Sequence, residues 1–207
     1  MMMRSNELRI ASLFSFLYAA LTLFYSYKLI YGEHSRAFIV FCLVVLTILL
    51  IIVFLYFKRF LKYYYNYKDK ENFIIYIIVF EVLHNVFMMV FLDRLNHDDD
   101  LYFVYSTVVA LLSAILITFY ILFSVRLFRL GAKYTRLMQV FSFLFILIPI
   151  LTIISFLFSL FIGKDLFTSL EYNNSSFLFA FLKLFPIIVL PALYYRSYLR
   201  KKYKYRY

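Results

Sequence analysis

The chain has 207 residues, of which 65% are hydrophobic and 23% aromatic, and it carries a formal charge of +11 at pH 7. A soluble domain is normally about 45–50% apolar, so this composition excludes an ordinary soluble protein and points to one membrane-embedded domain. A single cysteine, Cys42, excludes an intrachain disulfide framework and a thiolate zinc site.

Six apolar runs follow one another, each near the ~20 residues that a helix needs to cross a bilayer. They are drawn at 10–29, 37–57, 73–92, 101–123, 138–162 and 177–195. The first is preceded by Arg4 and Arg9, and its apolar stretch runs on through Leu21–Tyr27. That is longer than the 7–15 residues of a signal-peptide core, so it reads as an uncleaved span. Gly32, Gly131 and Gly163, the only glycines, fall at or beyond span ends, while Pro149, Pro186 and Pro191 fall inside the fifth and sixth spans, where they should bend the helix. The expected fold class is therefore all-α, a polytopic bundle of six transmembrane helices forming a single domain.

Charge sets the orientation. With the N-terminus inside, the inner segments hold 17 of the 22 Lys and Arg residues, in the groups Arg4–Arg9, Lys58–Lys70, Arg126–Arg136 and Arg196–Arg206. The outer loops hold 7 of the 11 acids, including Asp98, Asp99 and Asp100. By the positive-inside rule both termini are expected in the cytoplasm. Phe, Tyr, Ile, Lys and Asn all have AT-rich codons, so the aromatic content suits the cytoplasmic membrane of a low-GC bacterium and is not evidence of a cofactor; none is expected.

Small residues recur at four-residue spacing in three spans: Ala11, Ser15 and Ala19; Ser106, Ala110 and Ala114; Ser155, Ser159 and Gly163. In lipid, close helix approach depends on such residues, and all three stripes read as helix–helix seams.

The only charged residues well inside the runs are Glu81 and Lys183. Glu81, His84, Asn85 and Met88 lie at i, i+3, i+4 and i+7 and share one face of the third span. Polar groups on an otherwise apolar span should face the bundle interior. At 1.5 Å per residue Glu81 lies about 12 Å from the inner end of its span, His84 about 16 Å, and Lys183 about 18 Å on the antiparallel sixth span. Glu81 and Lys183 are therefore at depths from which they can meet. Such a pair either fixes helix packing or forms a proton- or ion-coupling site; alternatively Lys183 snorkels outward and Glu81 is neutral.

Other signals are weaker. Asn96, His97 and Asp98–Asp100 supply oxygen ligands without the spacing of a metal loop, and read as a solvated turn. No His-x-x-x-His, phosphate loop or second catalytic cluster occurs, so no catalytic or metal residue is assigned and an enzyme is disfavoured. The basic tail from residue 196 to 207 carries Arg196, Arg200, Lys201, Lys202, Lys204 and Arg206. With the Lys58–Lys68 segment it interleaves bases and aromatics next to spans. Clusters of this kind read as binding anionic lipid. Stacking on single-stranded nucleic acid is the lesser alternative, because tyrosines beside spans are ordinary interface anchors.

The leading expectation is a non-enzymatic sensing, regulatory or accessory membrane protein whose basic cytoplasmic face meets lipid or a protein partner. The alternative is a small proton- or ion-coupled transporter or channel subunit using Glu81 and Lys183.

Overall fold

The computed structural model describes residues 5–31, 35–68, 71–91, 99–134, 136–161 and 169–204, and the regular structure among them is all α-helix. The six helices are α1 (Ser5–Tyr31), α2 (Arg36–Tyr65), α3 (Phe73–Phe91), α4 (Asp99–Tyr134), α5 (Arg136–Phe161) and α6 (Ser169–Lys204). Among the described residues, three segments, Asn6–Leu29, Arg36–Tyr65 and Thr107–Gly131, are long and apolar enough to cross a membrane; Phe73–Phe87, Arg136–Leu151 and Leu184–Leu199 are shorter apolar stretches.

Three helices, α2, α4 and α6, run past the basic end of their apolar runs. α2 does not stop at Lys58. It carries Lys58, Arg59 and Lys62 on its last turns and ends where Asn66 turns left-handed at φ 50° and Tyr67 N–H donates to Leu61 O at 3.2 Å. This 6→1 closure is a common helix stop, and Asn tolerates the left-handed region better than most residues. At the other end Ser35 caps α2 by accepting from Phe38 N–H. α4 likewise runs through Arg126 and Arg129 to Tyr134, and α6 through the basic residues to Lys204. Lys and Arg are good helix formers, so a charge marks the end of the apolar run but not of the helix.

The helices form a closed ring in chain order. Each packs on its sequence neighbours, and α6 closes on α1. One core cluster joins the first turns of α1 (Leu8, Ala11), α3 (Ile74, Ile77) and α5 (Met138, Phe141) to the last turns of α2 (Phe60, Leu61), α4 (Phe123, Leu127) and α6 (Leu193, Tyr194). Successive helices therefore alternate in direction. The described chain begins and ends at this one end, hereafter the basic end.

At the basic end the middle of the ring is filled with aromatic rings. Phe57 of α2 meets Phe123 of α4 at 6.2 Å and Phe141 of α5 at 5.3 Å between centroids, and Phe54 meets Phe145 at 6.3 Å. α2 and α5 stand on opposite sides of the ring, so these contacts cross its centre. Along the α3–α4 seam, Phe73, Tyr76 and Phe80 close around Phe119. Such pairs contribute about 0.5–1.5 kcal/mol each beyond area burial. That matters where lipid removes the ordinary hydrophobic drive for helix association.

The stripe of small residues on α1 is a seam: Ala11 and Ser15 are fully buried and Ala19 is nearly so. That on α4 is not, because Ala110 and Ala114 are exposed. The side chains of Ser155 and Ser159, and the whole of Gly163, lie outside the described residues. Gly131 falls at the end of the apolar segment Thr107–Gly131, still within α4, and is buried against the start of α5: a Cβ there would meet Gln139 N at 2.5 Å. Large apolar side chains cover the exterior, Leu13, Phe16, Phe41, Leu111 and Phe143 among them.

Candidate functional site

The α3 stripe is the best-defined polar feature inside the ring. Tyr120 of α4 is buried and donates its hydroxyl to Glu81 Oε1 at 2.8 Å. Tyr18 of α1, packed on the core, lies within electrostatic reach of both Glu81 and Tyr120. α1 and α4 stand on opposite sides of the ring, so the carboxylate is approached by phenols from two walls. Tyr120 also packs on Phe145 at 5.3 Å, and so links the Glu81 carboxylate to the aromatic filling of the basic end.

One turn further along α3, Asn85 Nδ2 donates to Thr47 Oγ1 of α2 at 3.0 Å, and Thr47 in turn donates to Leu43 O at 2.7 Å. The two α3 side chains thus reach in opposite directions around the ring, Glu81 to α4 and Asn85 to α2. His84 is half-buried between them on α3, and among the described residues no hydrogen bond joins it to either pair. The structure brings Glu81 and Asn85 onto one helix face as expected, but gives each a partner on a neighbouring helix. The side chains of Met88 and Lys183 lie outside the described residues.

A second polar group lies between α1, α2 and α6 near the basic end. Tyr65 and Ser197 hydroxyls are 2.9 Å apart, both buried. Among the described residues no hydrogen-bond partner meets the buried Tyr194 hydroxyl, although Ser15 of α1 is close by. Ser15 instead donates to Ala11 O within its own helix at 2.9 Å.

The basic end carries the charge. Arg59, Lys62, Arg126, Arg129 and Arg196 are exposed there. Arg126 pairs with Glu71, tying α4 to the α2–α3 turn; an exposed pair of this kind adds little stability. Arg200, Lys201, Lys202 and Lys204 continue α6 in backbone, but their side chains, and the whole of Arg206, lie outside the described residues. The basic tail that begins at Arg196 is therefore, through Lys204, a helical extension of α6. Asn96, His97 and Asp98 also lie outside the described residues, and Asp99 and Asp100 begin α4.

Tyr120, Tyr18 and Thr47 were not candidates on sequence grounds. Tyr120 falls near the end of its apolar run, where a tyrosine reads as an interface anchor. Only the continuation of α4 to Tyr134 puts it well inside the helix. Thr47 had no distinguishing mark, since a lone hydroxyl in a span usually bonds the preceding turn.

Comparison with protein-family models, with curated proteins and with solved structures finds no match for this chain.

Proposed function

We propose that this chain is a six-span integral protein of the cytoplasmic membrane of a low-GC bacterium, with both termini in the cytoplasm. In this reading it is a non-enzymatic sensing, regulatory or accessory protein. Its basic cytoplasmic face meets anionic lipid or a protein partner, and nucleic acid is not its target.

The observation that carries this is how the interior polar groups are used. Glu81 and Asn85 each hold a neighbouring helix, through Tyr120 and Thr47, and aromatic rings cross the centre of the bundle beside them. An interior of this kind locks helix order and blocks a water-filled path at the basic end. The groups left to recognise something outside the bundle are the bases. Buried polar contacts are retained in many proteins for specificity of packing, and the alternation of helix direction supports six crossings with the bases together on one side.

A second reading rests on the two phenols that approach Glu81 from opposite walls. A carboxylate so placed can exchange a proton during a transport cycle. The two readings separate in sealed vesicles containing the purified protein. Under an imposed pH gradient, proton flux should match that of empty vesicles. Flux that disappears in Glu81→Gln, with the fold intact, would replace the first reading by the second.

A further inference from the structure

One face of α2 changes character within three turns. Ile52, Leu55 and Tyr56 are followed by Lys58, Arg59 and Lys62, and together these six residues line a groove of about 560 Å³ on the outside of the bundle. At 1.5 Å per residue the groove runs about 15 Å along the helix. Its floor is apolar at one end and its rim is basic at the other. Tyr56, stacked on Phe14 of α1 at 6.2 Å, forms the wall between them. This places a hydrophobic slot and a cationic rim at the point where α2 leaves its apolar run.

We propose that this groove seats one anionic glycerophospholipid, with its phosphate on the rim at Arg59 and Lys62, its two exposed bases, and an acyl chain along Ile52 and Leu55. Complementarity at both ends selects this occupant. A phosphate answers these two bases, and basic pockets beside spans on the cytoplasmic side bind such headgroups. A chain answers Leu55, which is 48% exposed in the absence of lipid. A soluble phosphate would leave the apolar end empty, and a neutral lipid would leave the rim unanswered. The proposal rests on the reading of the basic end as a cytoplasmic lipid-facing surface. It goes beyond that reading by naming a single site on α2, distinct from the bases of α6.

The test is native mass spectrometry of the full-length protein in detergent, titrated with phosphatidylglycerol and separately with phosphatidylcholine. A one-to-one adduct with phosphatidylglycerol is expected, not displaced by inorganic phosphate. Neutralising the rim (Arg59→Gln, Lys62→Gln) should weaken it about twenty-five-fold, since each base near an anionic headgroup is worth about a factor of five. Leu55→Trp keeps every base but fills the slot, and should also remove the adduct. Neutralising Arg196 and Arg200 instead, the same loss of charge, should leave it in place. Thermal melting of each variant in the same detergent confirms that the bundle is intact. An adduct that survives the rim and Leu55→Trp variants but falls with the α6 variant would overturn the groove and leave the basic-face reading standing. Displacement by inorganic phosphate would show an anion site without a lipid slot, and also overturn the groove. Equal binding of phosphatidylcholine and phosphatidylglycerol would overturn both.

Discussion

Tyr120 on α4 holds Glu81 on α3 by a 2.8 Å hydrogen bond from its hydroxyl to the carboxylate. The bond joins two helices in the interior of a bundle where unpaired polar groups are costly. Tyr120→Phe removes one donor to a part-buried carboxylate, so it should destabilise the protein by about 1–3 kcal/mol, as loss of a hydrogen bond to a charged group does. Glu81→Gln keeps an acceptor oxygen and should cost less. Unfolding in mixed micelles gives both values; a Tyr120→Phe variant as stable as the parent would show that this bond does not hold α3 to α4.

The Asn85–Thr47 pair allows a sharper comparison. Thr47→Val alone strands the Asn85 amide and should cost about 1 kcal/mol, within the range found for polar contacts between membrane helices. Adding Asn85→Leu removes both members, and apolar replacement of a whole pair is often nearly neutral. The double variant should therefore recover most of the loss, measured by the same unfolding experiment. A double variant no better than Thr47→Val would mean that Asn85 answers to something other than Thr47.

Gly131 has a packing role that can be tested on its own. Gly131→Ala places a methyl carbon within 2.5 Å of the Gln139 backbone nitrogen, and forcing α4 and α5 apart should cost about 1–3 kcal/mol. Because the obstacle includes backbone, Gln139→Ala should not restore stability. Full rescue by Gln139→Ala would put the clash in the side chain alone.

The aromatic centre of the basic end should be the most sensitive region. Phe57 is 1% exposed and touches rings from α4 and α5. Phe57→Ala should cost about 3–5 kcal/mol, as large-to-small changes at buried aromatics do. Phe143→Ala, on the lipid-facing exterior at 63% exposure, should cost far less. Similar losses at the two positions would mean that Phe57 is not at the centre of the ring.

The apolar runs made the helices legible, because their length and lack of charge are direct requirements of a bilayer. Their ends were not legible in the same way. Lys58, Arg126 and Arg196 close the apolar runs, yet the backbone hydrogen-bond ladder continues past each of them, and at α2 it is Asn66 that stops it. The stripe of Glu81 and Asn85 was legible from helical spacing. Tyr120 and Thr47 were not, since contacts 39 and 38 residues away in sequence depend on how the helices are arranged around the ring. Helix order is also why the small residues of α1 form a seam and those of α4 do not. Spacing shows that a face is smooth, but not which way it turns.

All of the functional reading depends on which side of the membrane the bases occupy. In a Cys42→Ala background, single cysteines at Arg129 and at Asp99, the two ends of α4, can be probed with a membrane-impermeant thiol reagent. With the basic end in the cytoplasm, Asp99→Cys should label in intact cells and Arg129→Cys only after the membrane is opened. Labelling of Arg129→Cys in intact cells, with Asp99→Cys protected, would place the basic end outside and overturn the proposed orientation.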